Sequence, residues 1–311
     1  MNGLLNVLKV PGMTSHDVVS QVRGLFTGVK VGHGGTLDPS AAGVLPLMLG
    51  KATRLSEWVM GGTKKYRAEM LLGITTDTDD LSGTVMNRNM PPAVSENALK
   101  ALLRDFEGEL VQVPPLFSAV KHRGRKMYQY AREGKEIDRK ERTVMIHSIN
   151  LINFLPPDRV LFEVCCSKGT YIRTLCRQIG EALGSGACMS FLLRTRVGYF
   201  YLSDAAPVDE IEKNPEDFVL PMDFVFQDKK KLTLEEVECR SLCYGQKISI
   251  DRIRKSKRIP YPLPVDEKIV PVYTTEGEFV ALARWETLVH GDGLATHQLV
   301  PERVFKTVLQ G

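Results

Sequence analysis

Hydrophobic positions in this chain recur with two periods, and each predicts its own elements. Residues 4–10 alternate weakly, as a short strand ended by Pro11-Gly12 would. Val18, Val22 and Leu25 then fall at helical spacing, with Thr14 or Ser15 as the cap. From Thr63 to Leu72 the alternation is strict: Tyr66, Ala68, Met70 and Leu72 share one face, and Lys65, Arg67 and Glu69 the other. That places the Tyr66 hydroxyl on an apolar face, where it needs a partner or a substrate. Gly73 to Gly83 reads as a polar loop with three acids. Ser95 caps an amphipathic helix through Leu99, Leu102, Leu103 and Phe106. Val160 to Cys166 is an apolar strand interrupted by Glu163, and Thr170 is placed to cap a helix that buries Ile172, Leu175, Cys176 and Ile179.

The pattern changes between Pro221 and Lys231, where a basic linker begins a second unit. There Phe279, Ala281, Ala283 and Trp285 alternate among short strands and glycine-bearing turns, which predicts a small β-barrel. The expected division is 1–228 and 229–311. A length of 311 residues agrees with two domains of roughly 150 residues each.

Composition adds less. The net charge of +4 permits an anionic partner without requiring one. No stretch approaches the ~18 apolar residues of a membrane span, and the N-terminus lacks a signal-peptide core, so a cytoplasmic protein with no membrane association is expected. The six cysteines form no CxxC pair and no zinc set, and the acids of Gly73–Gly83 lack the spacing of a calcium loop. Reduced core cysteines and no metal are expected.

Two stretches carry candidate chemistry. In Lys30 to Pro46, a single carboxylate, Asp38, stands between His33-Gly34-Gly35 and Pro39. The glycines allow close approach, and Pro39 biases Asp38 toward an extended conformation, so the acid projects from a stiff loop. Such an acid suits nucleophilic or acid–base work on a large substrate, and it could equally cap a turn. Arg173 falls in a helix's first turn, where the dipole opposes a cation, so it should hold a carboxylate or a phosphate. Pro114 to Val144 carries nine basic residues, among them Arg123 and Arg125, against four acids, with Tyr128 and Tyr130 interleaved. It reads as an arm that tracks a phosphate backbone. A further basic run spans Arg252 to Arg258.

LLNVLKVPGMTSHDVV, VGHGGTLDPSAAGVLP, KKYRAEMLLGITTDTDDLSG, PPLFSAVKHRGRKMYQYAREG, SKGTYIRTL and LLRTRVG, in that order over roughly the first 200 residues, resemble the TruB family, the bacterial tRNA pseudouridine-55 synthases. The C-terminal unit resembles a PUA domain more weakly. The resemblance implies an α+β fold around a mixed, mostly antiparallel sheet with flanking helices. It implies isomerisation of uridine 55 in the tRNA T loop on a flipped-out base, by a monomer, with no cofactor. The family's catalytic aspartate falls on Asp38, its stacking tyrosine on Tyr66, and its SKGTYIRT tyrosine and arginine on Tyr171 and Arg173. His33, Asp80, Leu192 and Lys9 match further family positions, and Arg123 and Arg125 belong to its RNA-binding arm. Val10, Gly34 and Leu193 depart from the family's usual Pro, Thr and Arg, which leaves the role of His33 least defined. Two alternatives remain: a guide-RNA-dependent rRNA pseudouridine synthase, and a tRNA-binding or tRNA-folding module without chemistry.

Overall fold

The alternating strands assemble into one nine-stranded sheet, in a computed structural model that describes the chain apart from residues 116, 118–120, 123–124, 128–129, 131–132, 134–138, 256–266, 290–294 and 307–311. The chain divides into two units, Gly3–Val219 and Leu220–Gly311. The first unit holds β1 (Gly3–Lys9), β2 (Val31–His33), β3 (Ala42–Leu49), β4 (Lys64–Leu72), β5 (Ile74–Thr76), β6 (Val85–Arg88), β7 (Gly108–Gln112), β8 (Lys121–His122), β9 (Arg125–Lys126), β10 (Arg142–Leu155), β11 (Arg159–Cys166), β12 (Ala187–Val197) and β13 (Phe200–Tyr201). The main sheet runs β1-β3-β12-β4-β11-β10-β7, with β2 on β3 and β13 on β12. Its pairs are antiparallel except β3 with β12.

Four helices matter for the site: α1 (Ser15–Leu25), α2 (Ser56–Gly61), α3 (Glu96–Arg104) and α4 (Ile172–Ala182). Thr14, one of the two candidates, caps α1, in a reciprocal capping box with Asp17. Ser95 caps α3 through Ala98 N. Leu99 and Leu103 of α3 and Ile172, Leu175, Cys176 and Ile179 of α4 pack with Tyr66, Ala68, Met70 and Leu72 of β4 in one core, as the periodicities predict. A second core joins α1 to β1 and β3.

Three expectations need correction. Thr170 does not cap α4: Tyr171 is the N-cap residue and makes no side-chain cap, while Thr170 Oγ1 turns back to donate to Ser167 O at 3.0 Å. Gly73–Gly83 is not all loop, because Ile74–Thr76 forms β5 and pairs with β6, whose exposed residues give no alternation to read. In the second unit Val280 and Leu282 are as buried as Ala281 and Ala283, so that strand is covered on both faces.

The second unit is a five-stranded sheet, β14 (Leu232–Leu234), β16 (Val270–Thr274), β17 (Phe279–Val289), β18 (Ala295–Val304) and β15 (Ile248–Ser249) in spatial order, with short helices Glu236–Cys243 and Ile250–Lys255. Among the described residues no helix is long and apolar enough to cross a membrane.

Candidate active site

Asp38 lies in the connection between β2 and β3, and that loop is tied down from below. Ser15 Oγ accepts from Leu37 N at 2.9 Å, Gly12 N donates to Pro39 O at 2.9 Å, and Ala41 N closes a turn onto Asp38 O at 3.0 Å. Two buried cations complete the hold. Lys9 Nζ donates to Ala41 O at 2.6 Å and Pro39 O at 3.2 Å. Arg194 donates to Val44 O at 2.8 Å, Gly35 O at 3.1 Å and Thr36 O at 3.4 Å. Loop stiffness therefore comes from carbonyls gathered around buried donors as well as from Pro39. The glycines serve approach: Gly43, at φ +113°, lets the chain pass where a Cβ would sit 2.2 Å from Arg194 O, and a Cβ on Gly34 would meet Val59 at 2.5 Å. That packing accounts for glycine at position 34 in this chain.

The Asp38 carboxylate, 29% exposed, meets a side chain that is almost fully enclosed. Arg173 Nε lies 2.9 Å from Oδ2 and Nη2 donates to Oδ1 at 3.0 Å, a two-pronged pair. The same guanidinium donates to Thr78 O at 3.1 Å and Phe117 O at 3.0 Å, and its Nε lies 3.7 Å from Asp80 Oδ2. Asp80 is fixed in turn by Thr78 Oγ1 at 2.8 Å, Ser82 N at 2.9 Å and the Ser82 hydroxyl. An arginine at the positive end of α4 is unfavourable unless anions surround it, and Asp38 and Asp80 do so.

Burial sets the protonation of these groups. It pushes the Asp38 carboxyl above its ordinary value; the Arg173 cation pulls it back and the Asp80 charge pushes it further up. Tyr66, fully enclosed, is pushed up to about 12, with Arg194 acting in the opposite direction. Lys64 and Lys9 are each lowered to about 8 by burial.

Above this floor opens a cleft of about 820 Å³ lined by Asp38, Tyr66, Tyr171, Arg173, Leu192, Arg194, Lys64, Arg142 and Lys168, among others. Tyr171 is clamped at its backbone by the fully buried Gln112, which accepts from Tyr171 N at 2.9 Å and donates to Tyr171 O at 3.2 Å. Its ring is covered by the Arg142 guanidinium, 5.3 Å from the ring centroid.

The structure thus brings Asp38, Tyr66, Tyr171, Arg173 and Leu192 to one cleft. Asp80 and Lys9 support it from behind without lining it. His33 is placed differently: its Nδ1 accepts from Gly35 N at 3.3 Å, and the residue does not line the cleft. Arg123 lies outside the described residues. Arg125 is described only by its backbone, which pairs with His122 between β8 and β9.

Sequence reasoning missed Lys64, Arg142, Lys168 and Arg194. Two of these were within reach of the period-two rule. Lys64 shares the inward face of Tyr66, and Arg194 that of Leu192, so both are buried cations on otherwise apolar faces. Among the described residues no three acidic, histidine or cysteine side chains gather as a metal site.

Comparison with known proteins identifies the family of the chain. The family model for the N-terminal domain of TruB family pseudouridylate synthases matches residues 23–172, and that for the tRNA pseudouridylate synthase B C-terminal domain matches residues 173–227. The chain is 44% identical over 311 residues to a tRNA pseudouridine synthase B of Moorella thermoacetica, covering 98% of this chain and 99% of that one. It is 48% identical over 250 residues to the protein of that name from Alkaliphilus oremlandii, covering 80% and 83%. Among solved structures, a Cbf5-Nop10-Gar1 complex contains a chain that superposes with a TM-score of 0.71 at 30% identity, covering 98% of this chain and 85% of that chain.

Proposed function

Because this chain belongs to the TruB family of pseudouridylate synthases and is therefore a pseudouridine-forming enzyme, we propose that its substrate is tRNA and its target uridine 55 of the T loop. The observation that carries the reading is the Arg173–Asp38 pair at the base of an open cleft that also presents Tyr66.

Pseudouridine formation breaks the N-glycosidic bond, turns the uracil and rejoins it through C5, with no net oxidation and no leaving product. A carboxylate can enter by attack at the sugar C1′, by attack at C6 of the base, or by taking a proton from C2′ to leave a glycal. All three routes need Asp38 as an anion, and Arg173 favours that form while aiming both oxygens. The target base lies within a folded loop, so it flips into the cleft; unstacking costs a few kcal/mol and is offset by new stacking. Tyr66 and Tyr171 supply aromatic surface for the base, and Leu192 an apolar edge. With its phenol held neutral by burial, Tyr66 is suited to stacking and to donating a hydrogen bond. A role in taking the C5 proton would draw on the neighbouring Arg194 cation.

The segment Pro114 to Val144 and the second unit serve as RNA-binding elements in this reading, the latter as an accessory PUA-like domain, and the protein acts as a cytoplasmic monomer. The relatives named for tRNA are 44% and 48% identical, against 30% for the chain of the Cbf5-Nop10-Gar1 complex, which favours a stand-alone tRNA enzyme. The test is pseudouridine mapping on an unmodified tRNA incubated with this protein alone. Pseudouridine at position 55 is expected. Activity only with an added guide RNA, or tight binding with no release of tritium from C5 of labelled uridine, would overturn the proposal.

A further inference from the structure

We infer that Arg142, laid against Tyr171 and assisted by Lys168, forms a subsite for one backbone phosphodiester beside the target nucleotide; this rests on the reading of the same cleft as a pseudouridine-synthase site. The starting observation is a charge without a counter-charge. The Arg142 Nε is shut off from solvent and has no hydrogen-bond partner, while the residue as a whole is half-buried and no ion pair to a described residue neutralises it. Glu141, adjacent in sequence and also lining the cleft, does not pair with it. A half-buried cation laid on an aromatic face, with one donor shut off from water and unmatched and no counter-charge beside it, is placed to receive an anion that arrives from outside.

The site is rigid enough to be specific. Arg142 opens β10 opposite Gln112 of β7, and Gln112 is the residue that clamps both backbone polar atoms of Tyr171. One strand pair therefore positions the guanidinium and the ring beneath it. Gly169 brings the loop after β11 close: a Cβ there would sit 3.8 Å from Arg142 Nη1. The preceding residue, Lys168, contributes an exposed ammonium to the same cleft. The two buried arginines of the cleft are already committed, Arg173 to Asp38 and Arg194 to three carbonyls. A nucleotide within an RNA chain carries negative charge only on its phosphates, and the planar guanidinium fork matches a phosphate with two parallel donors.

The test pairs Arg142→Gln and Arg142→Lys with T stem-loop RNAs carrying a single uncharged methylphosphonate linkage on the 5′ or the 3′ side of the target uridine. Kd and single-turnover isomerisation are measured against salt concentration. On native RNA, Arg142→Gln is expected to weaken binding and kcat/KM about 10- to 100-fold, the worth of a charged hydrogen bond, and to flatten the log–log salt slope by about 0.7. Wild type should lose a comparable factor on one methylphosphonate RNA, and Arg142→Gln should lose little more on that RNA. Arg142→Lys should recover the slope but only part of the affinity, because the fork and the stack are gone. Losses that multiply independently at both linkages would overturn the subsite. If Arg142→Gln fails to fold, the cycle between wild type and Arg142→Lys decides the same question. A wild-type protein that binds but never isomerises would refute the functional reading, while the Kd cycle would still decide the phosphate contact.

Discussion

The base of the cleft and its wall use arginine in opposite ways. At the base, each of the three side-chain nitrogens of Arg173 and Arg194 has an acceptor: Asp38 and two carbonyls for one, three carbonyls for the other. On the wall, Arg142 has an aromatic ring and an unpartnered Nε, and Lys168 extends into solvent. A cation whose acceptors are already present fixes geometry before substrate arrives, and so bears on the rate of the chemical step. A cation without acceptors gains its partners only on binding, and so bears on affinity and its salt dependence. Substitutions at the base should therefore appear in kcat, and those on the wall in Kd and its slope.

The largest effect should follow loss of the anion itself. Asp38→Asn keeps the shape and one acceptor for Arg173 but removes the charge needed by every route to the glycosidic bond. We expect single-turnover isomerisation to fall by about a thousandfold or more. Kd should change little or tighten, since a negative charge near the RNA backbone is gone. Turnover within tenfold of wild type would remove Asp38 from the chemistry.

Arg194→Met should come next. It withdraws three hydrogen bonds from Gly35, Thr36 and Val44, and each buried carbonyl left unpaired costs about 1–3 kcal/mol, partly offset because a buried cation also disappears. The Asp38 loop loses its lateral restraint, and misplacement of a reacting group by about 1 Å is worth on the order of a hundredfold in rate. A lowered Tm together with a lowered kcat and a nearly unchanged Kd is the expected pattern. A pure Kd effect would move Arg194 into the wall class.

The pH profile sharpens the account of the base. Burial raises the Asp38 carboxyl, and its protonated form is inactive, so kcat should rise with pH along an acid limb centred above the ordinary aspartate value near 4. Asp80 contributes a negative neighbour that pushes Asp38 up. Asp80→Asn should therefore move the limb to lower pH, increasing relative activity on the acid side by up to about tenfold. A limb that moves to higher pH would mean that Asp80 matters more for holding Arg173 against Asp38 than for its own charge.

What could be read from the sequence divides along the same line. The strand at Tyr66, the helix after Thr170 and the expectation that Arg173 holds an anion follow from local periodicity and the helix dipole, and the anion proves to be the Asp38 carboxylate. The hold on the Asp38 loop was legible only in part, because Lys9 and Arg194 act from positions 29 residues before and 156 after it, a distance that local rules do not span. Their signal was a cation on an inward face, which period-two counting registers but does not interpret. The wall was harder to see. Arg142 sat among nine basic residues in a run read as a single arm, and nothing in that run set apart the residue that opens β10 and faces Tyr171. The Thr170 cap failed because a hydroxyl before a helix has other carbonyls within reach, and Ser167 O was nearer in the tight turn.

The smallest effect belongs to Lys168, and it tests the comparison from the weak side. This lysine is exposed, follows Ser167 in the turn before α4, and lines the cleft with no ion pair to any described residue. Its charge is hydrated in the free protein, so its interaction with a phosphate exchanges one solvated state for another and gains little beyond counterion release. Lys168→Gln should weaken RNA binding only about two- to fivefold at 0.1 M salt, with the log–log slope reduced by about 0.7 for one lost contact. Single-turnover isomerisation at saturating RNA should move less than Kd does, because Asp38, Arg173 and Tyr66 are held by other residues. Filter binding over a salt series together with saturating single-turnover rates separates the two effects. If kcat falls more than Kd rises, the ammonium acts on the reacting nucleotide itself, and an exposed cation of the wall would belong functionally with the buried arginines of the base.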